Sequence, residues 1–365
     1  MDAKVREELS RLAAKGRVFL SMPWIPDLSP ACLDLPGRFE VADTDEPWER
    51  RHAILKFNEA GLSPLDHGGL YGDACFEGIL IKNGSVFLFK EHLERWWRSA
   101  KLLSIKMPYS MPEMAWHILR TINAVGFDKT ERAYLRPVLT RGFGNLGINP
   151  KKCLAPTVYV IASTIQLYPA ELYDKGIELA VARAVRRPGR EFIDPNIKSN
   201  NYLNNIFGLL ETLSRGAAET LMLTAKGNIA EATADNVFSI TRKAGWEADP
   251  TKVVLKTPVT AYCLKGITRD RIIANAMALG YTVEERDDML PMDLVGLDRE
   301  CFMTGTGCGL MPVVGVEGIK VGDGHPGPVT RKLLDCINGD MANPAMGLPF
   351  DATQEELHRY LGIIG

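Results

Sequence analysis

The chain has 365 residues, 46% of them apolar and 24% charged, a composition ordinary for a globular enzyme and a length too great for one small core. Forty-three basic against 45 acidic residues leave a formal charge of −2, which offers no electrostatic case for nucleic acid or an anionic membrane as partner. No apolar run approaches the roughly 18 residues of a membrane helix, and residues 1–16 lack the apolar stretch of a signal peptide. Seven cysteines without metal-ligand spacing read as reduced thiols of a cytoplasmic protein with no metal site.

Residues 2–15 place Val5, Leu9 and Leu12 on one helical stripe. Pro23, Pro26, Pro30, Pro36 and Pro47 then rule out long regular elements, so 1–53 reads as a helix plus a proline-rich arm. A small α/β domain is expected over 54–165. It contains strands at 75–82 and 85–89 around the Asn83-Gly84 hairpin turn, helices at 90–103 and 111–125, and strands at 134–140 and 157–162. A polar, proline-bearing stretch at 166–175 is the expected interdomain loop. A larger domain follows over 176–365, with strands near 177–185, 219–224, 236–241, 253–255, 281–285, 300–304 and 311–316. Its helices are expected at 201–215, 268–279, 329–337 and 354–361. Strands and helices mixed in this way, many in hairpins, make the fold class α+β.

Three segments of the second half carry chemistry. Lys198 lies in Asp194-Pro195-Asn196-Ile197-Lys198-Ser199-Asn200-Asn201-Tyr202, at the mouth of the expected helix, where the dipole would depress its pKa. Glu231 lies in Gly227-Asn228-Ile229-Ala230-Glu231-Ala232-Thr233, flanked by small residues that admit a flat ring. Leu264-Lys265-Gly266-Ile267-Thr268-Arg269 leads into a helix whose first amides suit a phosphate. Singly these are a surface lysine, a surface glutamate and an ordinary helix start. Together they supply an amine, a carboxylate for a pyridine nitrogen and a phosphate cup, which pyridoxal chemistry requires.

In that order and context they resemble the class IV aminotransferases, the fold-type IV pyridoxal enzymes, over about residues 62–337. The resemblance implies a two-domain fold with a smaller N-terminal α/β domain and a larger C-terminal domain with a barrel-like β core. It also implies pyridoxal 5′-phosphate as cofactor. Lys198 is then the Schiff-base lysine and Glu231 the partner of the pyridine nitrogen. Arg95, Gly266, Ile267 and Thr268 match the phosphate site, Tyr202 the ring hydroxyl contact, and Thr306 with Gly307 the cofactor and substrate carboxylate. Tyr71-Gly72-Asp73-Ala74-Cys75-Phe76-Glu77-Gly78 and Tyr134-Leu135-Arg136-Pro137 resemble the branched-chain amino-acid aminotransferases. By that resemblance Tyr71 and Phe76 line an apolar side-chain pocket, Tyr134 helps bind the α-carboxylate and Arg136 receives the distal carboxylate of glutamate. Ile148 matches a loop residue that reaches a neighbouring subunit, so a homodimer acting on amino acids and 2-oxo acids is expected. Leu80, Gly309 and Met311 depart from the usual pattern. D-amino-acid or specialised transaminases and an aminodeoxychorismate-lyase-like enzyme stay open on the same scaffold; a non-enzyme homologue is disfavoured by the intact cofactor set.

Overall fold

A computed structural model describes residues 3–23, 38–46, 48–164 and 168–364. Within these, contacts divide the chain into two units: one within Met1–Ile165, Lys198–Asn201 and Ala342–Gly365, the other within Gln166–Ile197 and Tyr202–Met341.

The first unit opens with helix α1 (Ala3–Lys15) and strands β1 (Arg17–Pro23), β2 (Glu40–Ala42) and β3 (Arg50–Lys56). The short helix α2 (His67–Tyr71) precedes β4 (Ala74–Phe76), β5 (Ile79–Lys82) and β6 (Ser85–Phe87). Helices α3 (Phe89–Leu102) and α4 (Met111–Val125) follow, then β7 (Ala133–Thr140) and β8 (Thr157–Thr164). Asn83 and Gly84 both take positive φ, 51° and 73°, and pair β5 with β6 in a tight hairpin, as the dipeptide predicts. Helix α4 is set by its ends: Ser110 and Glu113 form a capping box, and Gly126 closes it at φ 70°. Leu93, Trp96, Ile118 and Ile122 from the two helices pack with Ile79, Leu135 and Val160 of the strands in one core.

In the second unit, α5 (Glu171–Lys175) leads to β9 (Ile177–Val181), α6 (Leu203–Leu213), β10 (Glu219–Leu223), β11 (Ile229–Ala232), β12 (Asn236–Arg242) and β13 (Val253–Pro258). Then come α7 (Ile267–Ala278), β14 (Thr282–Arg286), β15 (Arg299–Gly305), β16 (Gly309–Val316), β17 (Ile319–Lys320) and α8 (Pro328–Ala342). The strand order is β11-β10-β9-β16-β15-β12-β13-β14, with β17 on β16. This sheet mixes parallel pairs (β9 with β10 and β16, β13 with β14) and antiparallel ones, and it curls so that β11 returns to β12 and β13. The chain ends in the first unit with β18 (Gly347–Pro349) and α9 (Gln354–Leu361). There the order is β18-β6-β5-β7-β8-β1-β3-β2 with β4 on β7, antiparallel throughout. The expected α+β class holds.

Several local expectations change. Residues 17–23 and 50–53 are not an arm: β1 sits between β8 and β3, with Phe19 fully buried, because the apolar run Val18-Phe19-Leu20 needs only to end at Pro23. The rest of the proline-rich reading, 24–37 and 47, lies outside the described residues. The tail joins the first unit because Gly347–Pro349 adds a strand to β6 and Leu357 fills its core. The single strand expected over 75–82 is two. The chain breaks at Glu77 and Gly78, and β4 and β5 each pair with β7. Helix α6 begins at Leu203, and Lys198–Asn201 instead lie against β4: Lys198 O accepts from Phe76 N at 2.9 Å and Ser199 bridges Cys75.

Candidate active site

The first unit gathers Lys198, Phe76, Tyr134, Arg136 and Arg95. Lys198 is fixed by its backbone, which bonds to Phe76 N and, through its own N–H, to the Ser99 hydroxyl of α3 at 3.2 Å. Its Nζ lies 4.9 Å from the centre of the Phe76 ring. Burial pushes the amine below its ordinary pKa, and the neighbouring Arg95 charge pushes it further, with Glu77 acting the other way. Lys198 does not open a helix, as the sequence led one to expect: α6 starts only at Leu203.

Arg95 stands on the buried face of α3 with His92, Trp96 and Ser99, at helical spacing. Its Nε and Nη2 donate to the two oxygens of Glu77 at 2.7 Å each, and His92 Nδ1 donates to the same carboxylate at 2.8 Å. Glu77 is fully buried. Burial alone would raise its pKa, yet the Arg95 charge and hydrogen bonds hold it far below the carboxylate range. On adjoining β7, the Arg136 guanidinium covers the Phe76 ring at 4.4 Å and donates to the Tyr134 hydroxyl at 3.3 Å. Its Nε is buried without a partner among the described residues. Gly78 is small for a reason: a Cβ there would run into the Tyr134 ring, 2.7 Å from Cζ. Tyr71 is exposed, stacks edge-on against His67 and donates to Leu146 O. Ile148, in the same loop as Leu146, is 80% exposed.

The second unit gathers the rest. Glu231 ends up buried on β11, with Oε1 accepting from Arg187 Nε at 2.6 Å and Oε2 from Leu264 N at 3.1 Å and Asn236 Nδ2 at 3.4 Å. Asn236 also donates to Leu264 O at 2.9 Å, and Asn196 accepts from Lys265 N and donates to Thr260 O. These bonds fix the turn that enters α7. That helix starts at Gly266 with no side-chain cap, leaving the first amides, at Ile267 and Thr268, for an anion. A Cβ on Gly266 would collide with Asn236. Thr268 is buried, whereas Thr306 and Gly307 lie half-buried in the β15–β16 turn. Burial works against the charge on the Arg187 guanidinium, but Glu231 more than offsets it, and Tyr202, just before α6, adds a smaller effect in the same direction.

These donor sets fit pyridoxal phosphate: a desolvated amine, a buried carboxylate with lone pairs to spare, and an uncapped helix start of 12 residues. Arg187, Glu77 and Asn196 are additions that sequence reasoning did not single out. Among the described residues no cluster of histidine, cysteine, aspartate or glutamate could hold a metal, and no helix is long and apolar enough to cross a membrane.

Residues 74–316 match the family Amino-transferase class IV. A putative branched-chain-amino-acid aminotransferase of Methanocaldococcus jannaschii is 39% identical over 76% of this chain and 90% of its own length. The branched-chain-amino-acid aminotransferase of Escherichia coli is 30% identical over 78% and 90%. Among solved structures, that of the E. coli branched-chain amino acid aminotransferase superposes with a TM-score of 0.70 at 30% identity, covering 78% of this chain and 91% of that one. The branched-chain aminotransferase of the thermophilic archaeon Thermoproteus uzoniensis, solved with norvaline, gives 0.69 at 28%, covering 79% and 92%. With its matched segment spanning both units, the chain belongs to the class IV aminotransferases and is an enzyme of the fold-type IV architecture.

Proposed function

We propose that this aminotransferase moves the amino group of leucine, isoleucine or valine to 2-oxoglutarate, using pyridoxal 5′-phosphate carried on Lys198. The observation that carries this most directly is the Lys198 amine, desolvated and lowered in pKa beside Phe76 and Arg95. A lysine so placed gives up its proton more readily than a solvated one and is the better nucleophile for it. The cofactor, when bound, supplies an electron-withdrawing ring and an aldehyde that accepts and returns the amino group.

The remaining work falls to the chain. Lys198 moves a proton to and from the substrate Cα as general acid and base. Glu231, held by Arg187 and the Leu264 amide, keeps a proton on the pyridine nitrogen. Arg95, the amides of Ile267 and Thr268, and the Thr268 hydroxyl bind the phosphate, with Gly266 admitting it closely. Tyr202 contacts the ring hydroxyl, and Thr306 and Gly307 hold cofactor and substrate carboxylate.

Dual specificity has support in the Arg136–Phe76 pair. An apolar ring with a guanidinium 4.4 Å above it can face either a leucine side chain or a γ-carboxylate. Tyr71 completes the apolar wall and Tyr134 orients the α-carboxylate. We further infer a homodimer in which Ile148 reaches the partner subunit's site. The 80% exposure of Ile148 and the apolar stripe of Leu203, Ile206, Phe207, Leu210 and Leu213, each more than half exposed on α6, support an occluded interface. A cytoplasmic location accords with the six described cysteines, all free. Half-reaction spectra over a panel of amino acids test the assignment: turnover of D-alanine in preference to L-leucine would replace it with the D-amino-acid alternative.

A further inference from the structure

Glu77 sits at the centre of Phe-Glu-Gly, yet the function above gives it no work. We propose that Glu77, backed by His92, is a positioning residue that orients Arg95 toward the cofactor phosphate. This rests on Arg95 being the phosphate arginine.

The strand break that separates β4 from β5 makes the placement possible. Glu77 N donates to Pro137 O at 2.9 Å, and the side chain meets the buried face of α3. Its carboxylate then grips the Nε–Nη2 edge of Arg95 in a two-pronged pair, 2.7 Å on each prong. An arginine has several rotatable bonds and a planar donor fork, so clamping one edge fixes the plane and the direction of the other donors. His92 supplies the third constraint. An ionised carboxylate only accepts, so Nδ1 carries the hydrogen, and its 2.8 Å bond stops the carboxylate from rotating. All three side chains are at most 4% exposed. A buried ion pair of this kind yields little stability over apolar packing, so its return lies in geometry. The same carboxylate opposes the effect of the Arg95 charge on Lys198.

Apoenzyme titrated with pyridoxal phosphate and with pyridoxal isolates the phosphate, since the ratio of the two dissociation constants is the phosphate's contribution. Glu77→Gln keeps the shape, removes the charge and is expected to reduce that ratio by roughly tenfold or more. Glu77→Asp, which keeps the charge but shortens the reach, should fall between. Should Glu77→Gln not fold, His92→Asn carries the test, with an expected reduction of about threefold. An unchanged ratio in the folded variant overturns the positioning role. Arg95→Ala separates the two levels: if it leaves the ratio intact, Arg95 is not the phosphate ligand and the reading beneath fails. If it abolishes the ratio's advantage while Glu77→Gln does not, the inference alone fails. The pH midpoint for pyridoxal capture by apoenzyme gives a second readout, expected to fall in Glu77→Gln; a rise contradicts the electrostatic part.

Discussion

Gly78→Ala is a one-carbon change with a calculable consequence. The added Cβ would lie 2.7 Å from Tyr134 Cζ and closer still to the hydroxyl, whereas ordinary contact begins at 3.4 Å. The hydroxyl is the closest atom and sets the displacement, so the Tyr134 side chain must retreat by well over about 1 Å, at an overpacking cost of about 1–3 kcal/mol. The hydroxyl that Arg136 reaches at 3.3 Å moves with it. Misplacing a positioning group by about 1 Å costs up to about a hundredfold, so kcat/KM for leucine should fall roughly ten- to a hundredfold. Stopped-flow half reactions with L-leucine, beside thermal melts of the same protein, measure both effects. Tyr134→Phe added to Gly78→Ala removes the closest atom and should recover part of the stability but not the activity. Activity and melting temperature both unchanged in Gly78→Ala would refute the packing argument and the role given to Tyr134.

Arg136→Ala should damage the glutamate half reaction more than the leucine one, by about tenfold in the ratio of rates; equal losses in both would remove its role as γ-carboxylate receptor. Glu231→Gln, which keeps the size but not the charge, should retain cofactor and slow proton transfer by at least about a hundredfold. Lys198→Met should raise the melting temperature of the apoprotein at neutral pH. The folded amine has a lowered pKa, so the unfolded chain binds more protons between the folded value and 10.5. The stability cost of Lys198 is thus full below that window and fades as pH rises through it, and melts from pH 7 to 10.5 should show the variant's advantage shrinking. Burial and the Glu77 charge push the Cys75 thiol up to about 12, and burial also raises Cys263 and Cys301. Of the six described cysteines, native-state alkylation should spare these three and modify Cys153 and Cys336 first, which mass mapping reads.

Lys198, Glu231 and the entry to α7 stood out as candidates because each lies in a contiguous run whose residue types and order suit the proposed chemistry. Arg187 was not. It is one of four arginines between 183 and 190, and only the fold brings it against a glutamate 44 residues away. Glu77 was visible inside a motif, but nothing local says that its carboxylate would turn inward to an arginine 18 residues on. The hairpin at Asn83-Gly84 follows from local backbone preference. The inclusion of β1 and β3 in the first sheet does not, since prolines around them signal interruption and the partners are set by tertiary pairing. The tail strand β18 was equally hidden: three residues, Gly347–Pro349, become a strand only because the edge of β6 is there to pair with. The helix expected to open at 201 opens at Leu203, and Lys198, expected at its mouth, is held instead by backbone bonds to Phe76 and Ser99.

Reductive trapping decides the matter most directly. Purified protein is loaded with pyridoxal phosphate, reduced with borohydride, digested and mapped by mass spectrometry. A phosphopyridoxyl group on the peptide containing Lys198, absent from Lys198→Ala together with transaminase activity, is the expected result. An active enzyme whose label sits on another lysine would contradict it.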